Sequence, residues 1–385
     1  MTAFQRWLHQ PRKLLVRRVL FQLHLWTGLA LGLYILVIGV TGSLLVFRQE
    51  FTTRALPAEW RALRTTMPVT ASVVVAHLNA AYANPRIVSL TAPSDHNPLF
   101  VATLAATLGG RERISVACDP RNGEVLGPMP RPPAWLAFVR RLHETLLIVG
   151  SGRVWNGVGG ALLLVLVATG LVNWWPGMGT WRRALQVDVR LGWRRVNFDL
   201  HRATGFWSAA LLASWALTGI YFAWPQQLTR LVTAWSPVVS ARPPAITVQP
   251  TVVAAAPDLD ELVTRALALD PGTTWSGLQF PFGRTAPLQV ILRRRSGDGR
   301  PYEDTIYFDP YSGAHLTTWR YGVNQSAADW FLWLQVPVHF GTSWGMTVKI
   351  LWAFAGLALP LLALTGVVMY WNRVIRHALR FLRRT

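Results

Sequence analysis

The chain has 385 residues, 51% of them hydrophobic, with 20 tryptophans and a formal net charge of +20. This is too apolar and too Trp-rich for an average soluble domain. The charge does not point to nucleic acid, because much of it flanks apolar stretches, where it attracts anionic lipid, and no basic run matches a nucleic-acid motif.

Residues 1–18 form a basic N-terminus with Arg12, Lys13, Arg17 and Arg18, which the positive-inside bias places in the cytoplasm. Residues 19–47 carry no charge and form the first span, since ~20 residues rising ~1.5 Å each cross a ~30 Å hydrocarbon core. No A-x-A-like cleavage site follows it, so it is expected to be a retained signal anchor. Residues 48–142 are expected to fold as a small α+β domain outside the cytoplasm, with a helix at 71–82 and strands at 98–105 and 113–118. Its last strand runs into the turn Asp119-Pro120-Arg121-Asn122-Gly123. The single cysteine, Cys118, has no partner for an internal disulfide.

Residues 143–175 hold the second span and its interfacial entry segment. Residues 176–200 form a cytoplasmic loop containing Arg182, Arg183, Arg190, Arg194 and Arg195, and 201–224 the third span. Residues 225–338 repeat the α+β pattern, with a helix at 258–269, strands at 287–293 and 304–308, and the turn Asp309-Pro310-Tyr311-Ser312-Gly313. Residues 339–372 hold the fourth span with its entry segment. Residues 373–385 form a basic tail with Arg373, Arg376, Arg380, Arg383 and Arg384. The three basic segments fall on one side, as an even number of spans between them requires. The expected placement is the bacterial inner membrane, with both termini cytoplasmic and both large loops periplasmic.

The spans repeat more sharply than the loops. His24 is followed by Thr27, Gly28, Thr41 and Gly42, and His201 by Thr204, Gly205, Thr218 and Gly219, at the same offsets of +3, +4, +17 and +18. His143 precedes Thr169-Gly170, and His339 precedes Thr365-Gly366, both at +26 and +27. The expected fold is therefore membrane α-helical, with four transmembrane helices in two halves related by a pseudo-twofold axis along the membrane normal.

That axis sorts four of the nine histidines into two pairs. His24 and His201 lie at the cytoplasmic ends of spans one and three, and His143 and His339 before spans two and four on the external side. Two imidazoles facing each other across a bundle can ligate one haem iron from opposite sides. Gly28 and Gly205, one turn beyond His24 and His201 on the same helix face, let a flat ring approach the backbone. The pairings His24–His143 and His201–His339 are rejected, because they join opposite membrane faces. No Cys or Met repeats beside these positions, and no acidic cluster suggests a non-haem metal. The Thr-Gly pairs read first as small residues that let helices pack closely, and second as neighbours of a haem. Amphipathic segments at Trp135–Ile148 and Trp330–Val338, each followed by glycine breakers, put the outer pair on interfacial helices. The remaining histidines, His9, His77, His96, His315 and His377, read as surface residues.

The His-x-x-Thr-Gly span starts, the two D-P-x-x-G loops and the Trp-rich spans resemble the PepSY-associated transmembrane family over about residues 15–375. The resemblance implies two PepSY-like periplasmic domains and a di-haem b-type protein that carries electrons across the membrane to a ferric siderophore. Carried onto this chain, it implies iron ligation by His24 with His201 and by His143 with His339. Some relatives carry an added flavin- or NADPH-binding domain. No such domain is expected here, and no G-x-G-x-x-G follows a strand, so the electron donor stays open, cytoplasmic or membrane-borne. Expected contacts for an anionic, oxygen-rich chelate are Arg140, Arg141, Trp330 and Trp333, with Trp135 and Trp344 beside them. An interfacial belt of aromatic and basic residues would use the same side chains. Two other functions stay open: a haem-free regulatory protein whose external domains engage a peptidase or transporter, and transport of haem or an iron chelate.

Overall fold

A computed structural model describes residues 5, 9, 14–83, 85–105, 113–239, 243–246, 257–295, 301–376 and 378–379. Arg12, Lys13, His377, Arg380, Arg383 and Arg384 lie outside them. The described residues fall into two compact units. One comprises Met1–Arg48, Ala134–Leu231 and Trp333–Thr385, and the other Gln49–Pro133 and Val232–Leu332.

The first unit is helical. Helix α1 runs Leu15–Leu45; α2 (Arg48–Arg54), α3 (Ala58–Arg61) and α4 (Ala71–Tyr82) follow, and the last three belong almost wholly to the second unit. The remaining helices of the first unit are α5 (Ala134–Thr145), α6 (Gly152–Trp174), α7 (Trp181–Ala184), α8 (Trp193–Ala223) and most of α9 (Pro225–Thr233). Helix α10 (Leu259–Leu269) is in the second unit. Helix α11 (Ala327–Phe340) starts there and ends in the first, ahead of α12 (Gly345–Gly356) and α13 (Ala358–Tyr370). Among the described residues, four stretches are long and apolar enough to cross a membrane: α1, α6, α8, and Gly345–Ile375, which joins α12, α13 and a π-helical turn at Trp371–Ile375. These match the four expected spans. Helix α8, however, starts at Trp193 rather than 201 and absorbs the basic end of the expected loop, where Arg195 and Arg202 pair with the buried Asp199 one turn away.

The bundle core is made of Ile35, Leu163, Leu166, Leu212, Ala216 and Leu359, while Leu33, Trp207 and Phe354 point outward. Close approach rests on small residues, as expected where lipid and side chains are equally apolar. A Cβ on Gly39 would sit 2.5 Å from Pro360 Cδ, and one on Gly157 would sit 2.4 Å from Ala223 Cβ.

The second unit corrects one expectation. The two loops do not make separate α+β domains. Both feed a single eight-stranded antiparallel sheet in the order β4-β3-β2-β1-β5-β6-β7-β8. The strands are β1 (Ile87–Thr91), β2 (Phe100–Ala105), β3 (Arg113–Cys118), β4 (Val125–Pro128), β5 (Thr273–Gln279), β6 (Leu288–Arg295), β7 (Pro301–Phe308) and β8 (His315–Trp319). The seam is β1 against β5, with Leu90 opposite Leu278. The physical reason is that a four-stranded sheet ending at β1 would expose a row of unpaired backbone groups, and β5 covers it. Helices α4 and α10 pack on one face, where Val74, Leu78, Leu262 and Ala266 meet Leu90, Phe100, Leu278, Val290 and Phe308. Asp258 caps α10 by accepting from the Asp260 amide. Both D-P-x-x-G turns close as expected, with Gly123 and Gly313 at φ +81° and +69° and their amides donating to Asp119 and Asp309.

One end of this core is ionic. Arg294 lies 2.7 Å from both Asp270 and Asp304, and Arg320 lies 3.2 Å from Asp270. Burial, and then the hydrogen bond with Asp270, push the Asp304 carboxyl up to about 6. Burial also opposes the charge on Asp270, but hydrogen bonds from Asp304, Arg294 and Arg320 outweigh it and hold that carboxyl below its usual range.

Candidate functional site

The histidines pair as their depth predicted. The His24 and His201 ring centres are 6.4 Å apart, and those of His143 and His339 are 6.2 Å apart. In each pair one histidine comes from each half of the chain. His24 and His201 sit on α1 and α8, two unbroken helices. His143 and His339 sit near the C-terminal ends of the short helices α5 and α11.

Each ring spends its Nδ1 on a threonine of a different helix. His24 Nδ1 lies 3.1 Å from Thr169 Oγ1 and from the Leu166 carbonyl, and His201 Nδ1 lies 2.9 Å from Thr365 Oγ1. His143 Nδ1 is 2.9 Å from Thr41 Oγ1, and His339 Nδ1 is 2.8 Å from Thr218 Oγ1. These are the four threonines of the repeated Thr-Gly pairs, which the sequence assigned first to packing. The structure gives them the histidines as well. The adjacent glycines make room for the rings. A Cβ on Gly42, Gly170 or Gly366 would stand 3.0, 3.1 or 3.4 Å from the Cε1 of His143, His24 or His201. Gly28 and Gly205, expected to open a path for a flat ring, would place a Cβ in ordinary contact with Leu166 and Leu362, at 3.7 and 3.6 Å. The glycines that crowd the histidines are therefore those of the Thr-Gly pairs.

The outer histidines have additional support. The Asn156 amide donates to the His143 carbonyl at 2.7 Å, and Tyr34 donates to Asn156 Oδ1 at 2.9 Å. Trp352 occupies the same offset after His339 that Asn156 has after His143. Its indole N–H donates to the Val338 carbonyl at 2.8 Å, and that of Trp215 donates to the same oxygen at 3.3 Å. Phe222 and Phe340 flank the His339 ring at 5.1 and 5.3 Å.

A haem passes a simple distance test here. Imidazole nitrogen binds a metal at about 2 Å with its ring centre about 1 Å further back, so two rings on opposite sides of one ion stand about 6 Å apart. Both pairs meet that separation, and with Nδ1 engaged each ring keeps Nε2 for a ligand. A pair of histidines supplies only two ligands. Among the described residues no three His, Cys, Asp or Glu side chains gather as metal ligands. Two imidazoles suit a group that brings its own equatorial donors.

The expected chelate contacts are dispersed. Arg140 and Arg141 are exposed on α5, and Arg140 reaches Glu144 at 3.3 Å. Trp333 is partly buried on α11. Trp330 packs in the second unit against Tyr321 at 5.1 Å, part of an aromatic group with Tyr302 and Trp319. Among the outlying histidines, His77 bonds within its own helix to the Val73 carbonyl and His315 bonds to Thr318.

No curated protein matches the chain. The family model described as the PepSY-associated TM region matches residues 21–373, which take in most or all of each of the four spans and all four paired histidines. The chain is a helical multi-pass membrane protein and belongs to the PepSY-associated TM family.

Proposed function

We propose that the protein is a di-haem b-type oxidoreductase of the bacterial inner membrane that reduces a ferric siderophore in the periplasm. The observation that carries this reading is the pair of facing histidine sites, with ring separations of 6.4 and 6.2 Å and one ligand from each half of the chain. His24 and His201 would hold one haem on the cytoplasmic side, and His143 and His339 a second on the periplasmic side. When bound, each haem supplies a one-electron Fe(III)/Fe(II) couple. The two halves are related by a pseudo-twofold axis along the membrane normal, which accounts for the paired ligands and for the matching strand orders on either side of the β1–β5 seam.

The reaction adds one electron to the ferric ion of the chelate and breaks no covalent bond. Its reductant is a cytoplasmic or membrane-borne electron donor. The resulting Fe(II) binds hard oxygen donors more weakly, which frees the metal. Arg140 and Arg141 offer charge to an anionic chelate, and Trp330 and Trp333 offer aromatic surface. The basic segments of the first unit lie at the cytoplasmic face against anionic lipid.

Haem content per chain, measured by pyridine haemochrome on purified protein, is the test. Two haems are expected, falling to one in His24→Ala or His339→Ala, with reoxidation of the reduced protein on adding a ferric siderophore. A colourless, folded protein would sink this reading and leave a haem-free membrane protein that engages a peptidase or transporter.

A further inference from the structure

We propose that Thr41, Thr169, Thr218 and Thr365 are positioning residues that fix the tautomer of the four paired histidines. We further propose that their unequal backing gives the His143–His339 site the higher reduction potential. The proposal rests on the di-haem reading above.

The direction of each hydrogen bond follows from where the hydroxyl proton goes. All four threonines are about 95% buried. Each donates to the carbonyl four residues earlier on its own helix: Thr41 to Val37 at 2.6 Å, Thr169 to Val165 at 2.8 Å, Thr218 to Ser214 at 2.9 Å and Thr365 to Leu361 at 2.6 Å. A hydroxyl has one proton and two lone pairs. With the proton spent on the carbonyl, the oxygen can only accept from the histidine. Nδ1 must therefore carry the hydrogen, and Nε2 keeps the lone pair that binds a metal. A threonine used only for packing would not need to meet a histidine nitrogen four times over.

The acceptors behind the rings are not equal. His24 has the Leu166 carbonyl beside Thr169. His201 and His143 have the hydroxyls of Thr365 and Thr41, each at 2.9 Å. For His339 the Thr218 hydroxyl is the one Nδ1 acceptor among the described residues. An acceptor on Nδ1–H makes the imidazole a stronger donor at Nε2, which favours the ferric state and lowers the potential. The inner site has one doubly backed histidine, His24, and the outer site has none. The outer iron should therefore be the easier to reduce, and its potential should depend on the two hydroxyls of Thr41 and Thr218.

The test is a redox titration of the intact purified protein, followed in the visible haem bands. Two potentials are expected, and His339→Ala should remove the higher. Thr218→Val should raise the higher potential and leave the lower unmoved, and Thr218→Ser should restore it. Thr169→Val should move the lower potential by less, because the Leu166 carbonyl remains. Full haem content with neither potential moved in Thr218→Val overturns the proposal, as does a shift of the lower potential alone. If Thr218→Val loses the outer haem, Thr218→Ser decides: retention with the original potential supports the hydroxyl's role, and equal loss assigns Thr218 to packing and overturns it. Wild-type protein without haem fails the di-haem reading itself, which haem content scores separately from any potential.

Discussion

The inner and outer histidine pairs have nearly the same ring separation but are held in different ways. His24 and His201 lie on helices of 31 residues each, so regular backbone hydrogen bonds fix them. His143 and His339 lie on helices of 12 and 14 residues that end just beyond the histidine. After His143 the chain turns through Leu146 and Leu147 at φ +52° and +60°, a conformation that costs non-glycine residues about 1–3 kcal/mol. After His339 it turns through Gly341 and Gly345 at φ +63° and +81°. The inner geometry is thus a property of the helices. The outer geometry depends on two turns and on the hydrogen bonds from Asn156, Trp215 and Trp352 that tie each helix end to a span. Matching ring separations here do not require matching support.

The largest test of this contrast is Gly152→Ala. Its Cβ would stand 1.9 Å from the Thr145 carbonyl oxygen, so the turn between α5 and α6 must open. The expected result is loss of the outer haem with the inner one kept, read as a halved haem content; equal loss of both would erase the distinction. Next come Gly42→Ala and Gly170→Ala, which press on His143 and His24 from 3.0 and 3.1 Å. An overpacking cost of about 1–2 kcal/mol predicts roughly tenfold weaker haem retention at the outer and inner site respectively. Gly219→Ala, with nothing within 4 Å, is the silent control. Asn156→Ala removes one hydrogen bond behind His143, worth about 1 kcal/mol. It should broaden the outer haem's spectrum and leave the inner one unchanged. The smallest effect concerns the sheet, where no histidine site is involved. Asp304 has a raised carboxyl pKa, so the stability tied to its protonated form is present below about 4 and fades as pH rises through about 6. Amide exchange on β6 and β7 should quicken over that window beyond the intrinsic rate, and Asp304→Asn should flatten the change.

Much of the bundle was legible because a membrane imposes length and apolarity on every span, and because the histidine offsets repeat to the residue. Helix α4 and strand β3 were also read correctly, since Ala71–Tyr82 and Arg113–Cys118 show local propensity. Strands β1, β4, β5 and β8 were not, being short or broken by glycine, as Val125–Pro128 is. The β1–β5 seam has no local signal: Leu90 meets Leu278 across almost the whole length of a half. Sequence also could not show that Thr169 serves His24, since the two lie 145 residues apart and small residues in spans usually mean packing. Gly28, one turn from His24, is the glycine that sequence offers as the opening for a flat ring. The glycine packed against the His24 ring itself is Gly170, on the facing helix, which no local signal marks.

The seam between β1 and β5 also has a consequence in time. During synthesis the first four strands are complete long before Thr273 is made, and two further spans must be inserted in between. For that interval β1 is an open edge, able to pair with any exposed strand nearby. The first half of the sheet is thus a nascent intermediate whose proper partner is still being translated. A chain cut after its second span should be more prone to aggregation than the full-length protein.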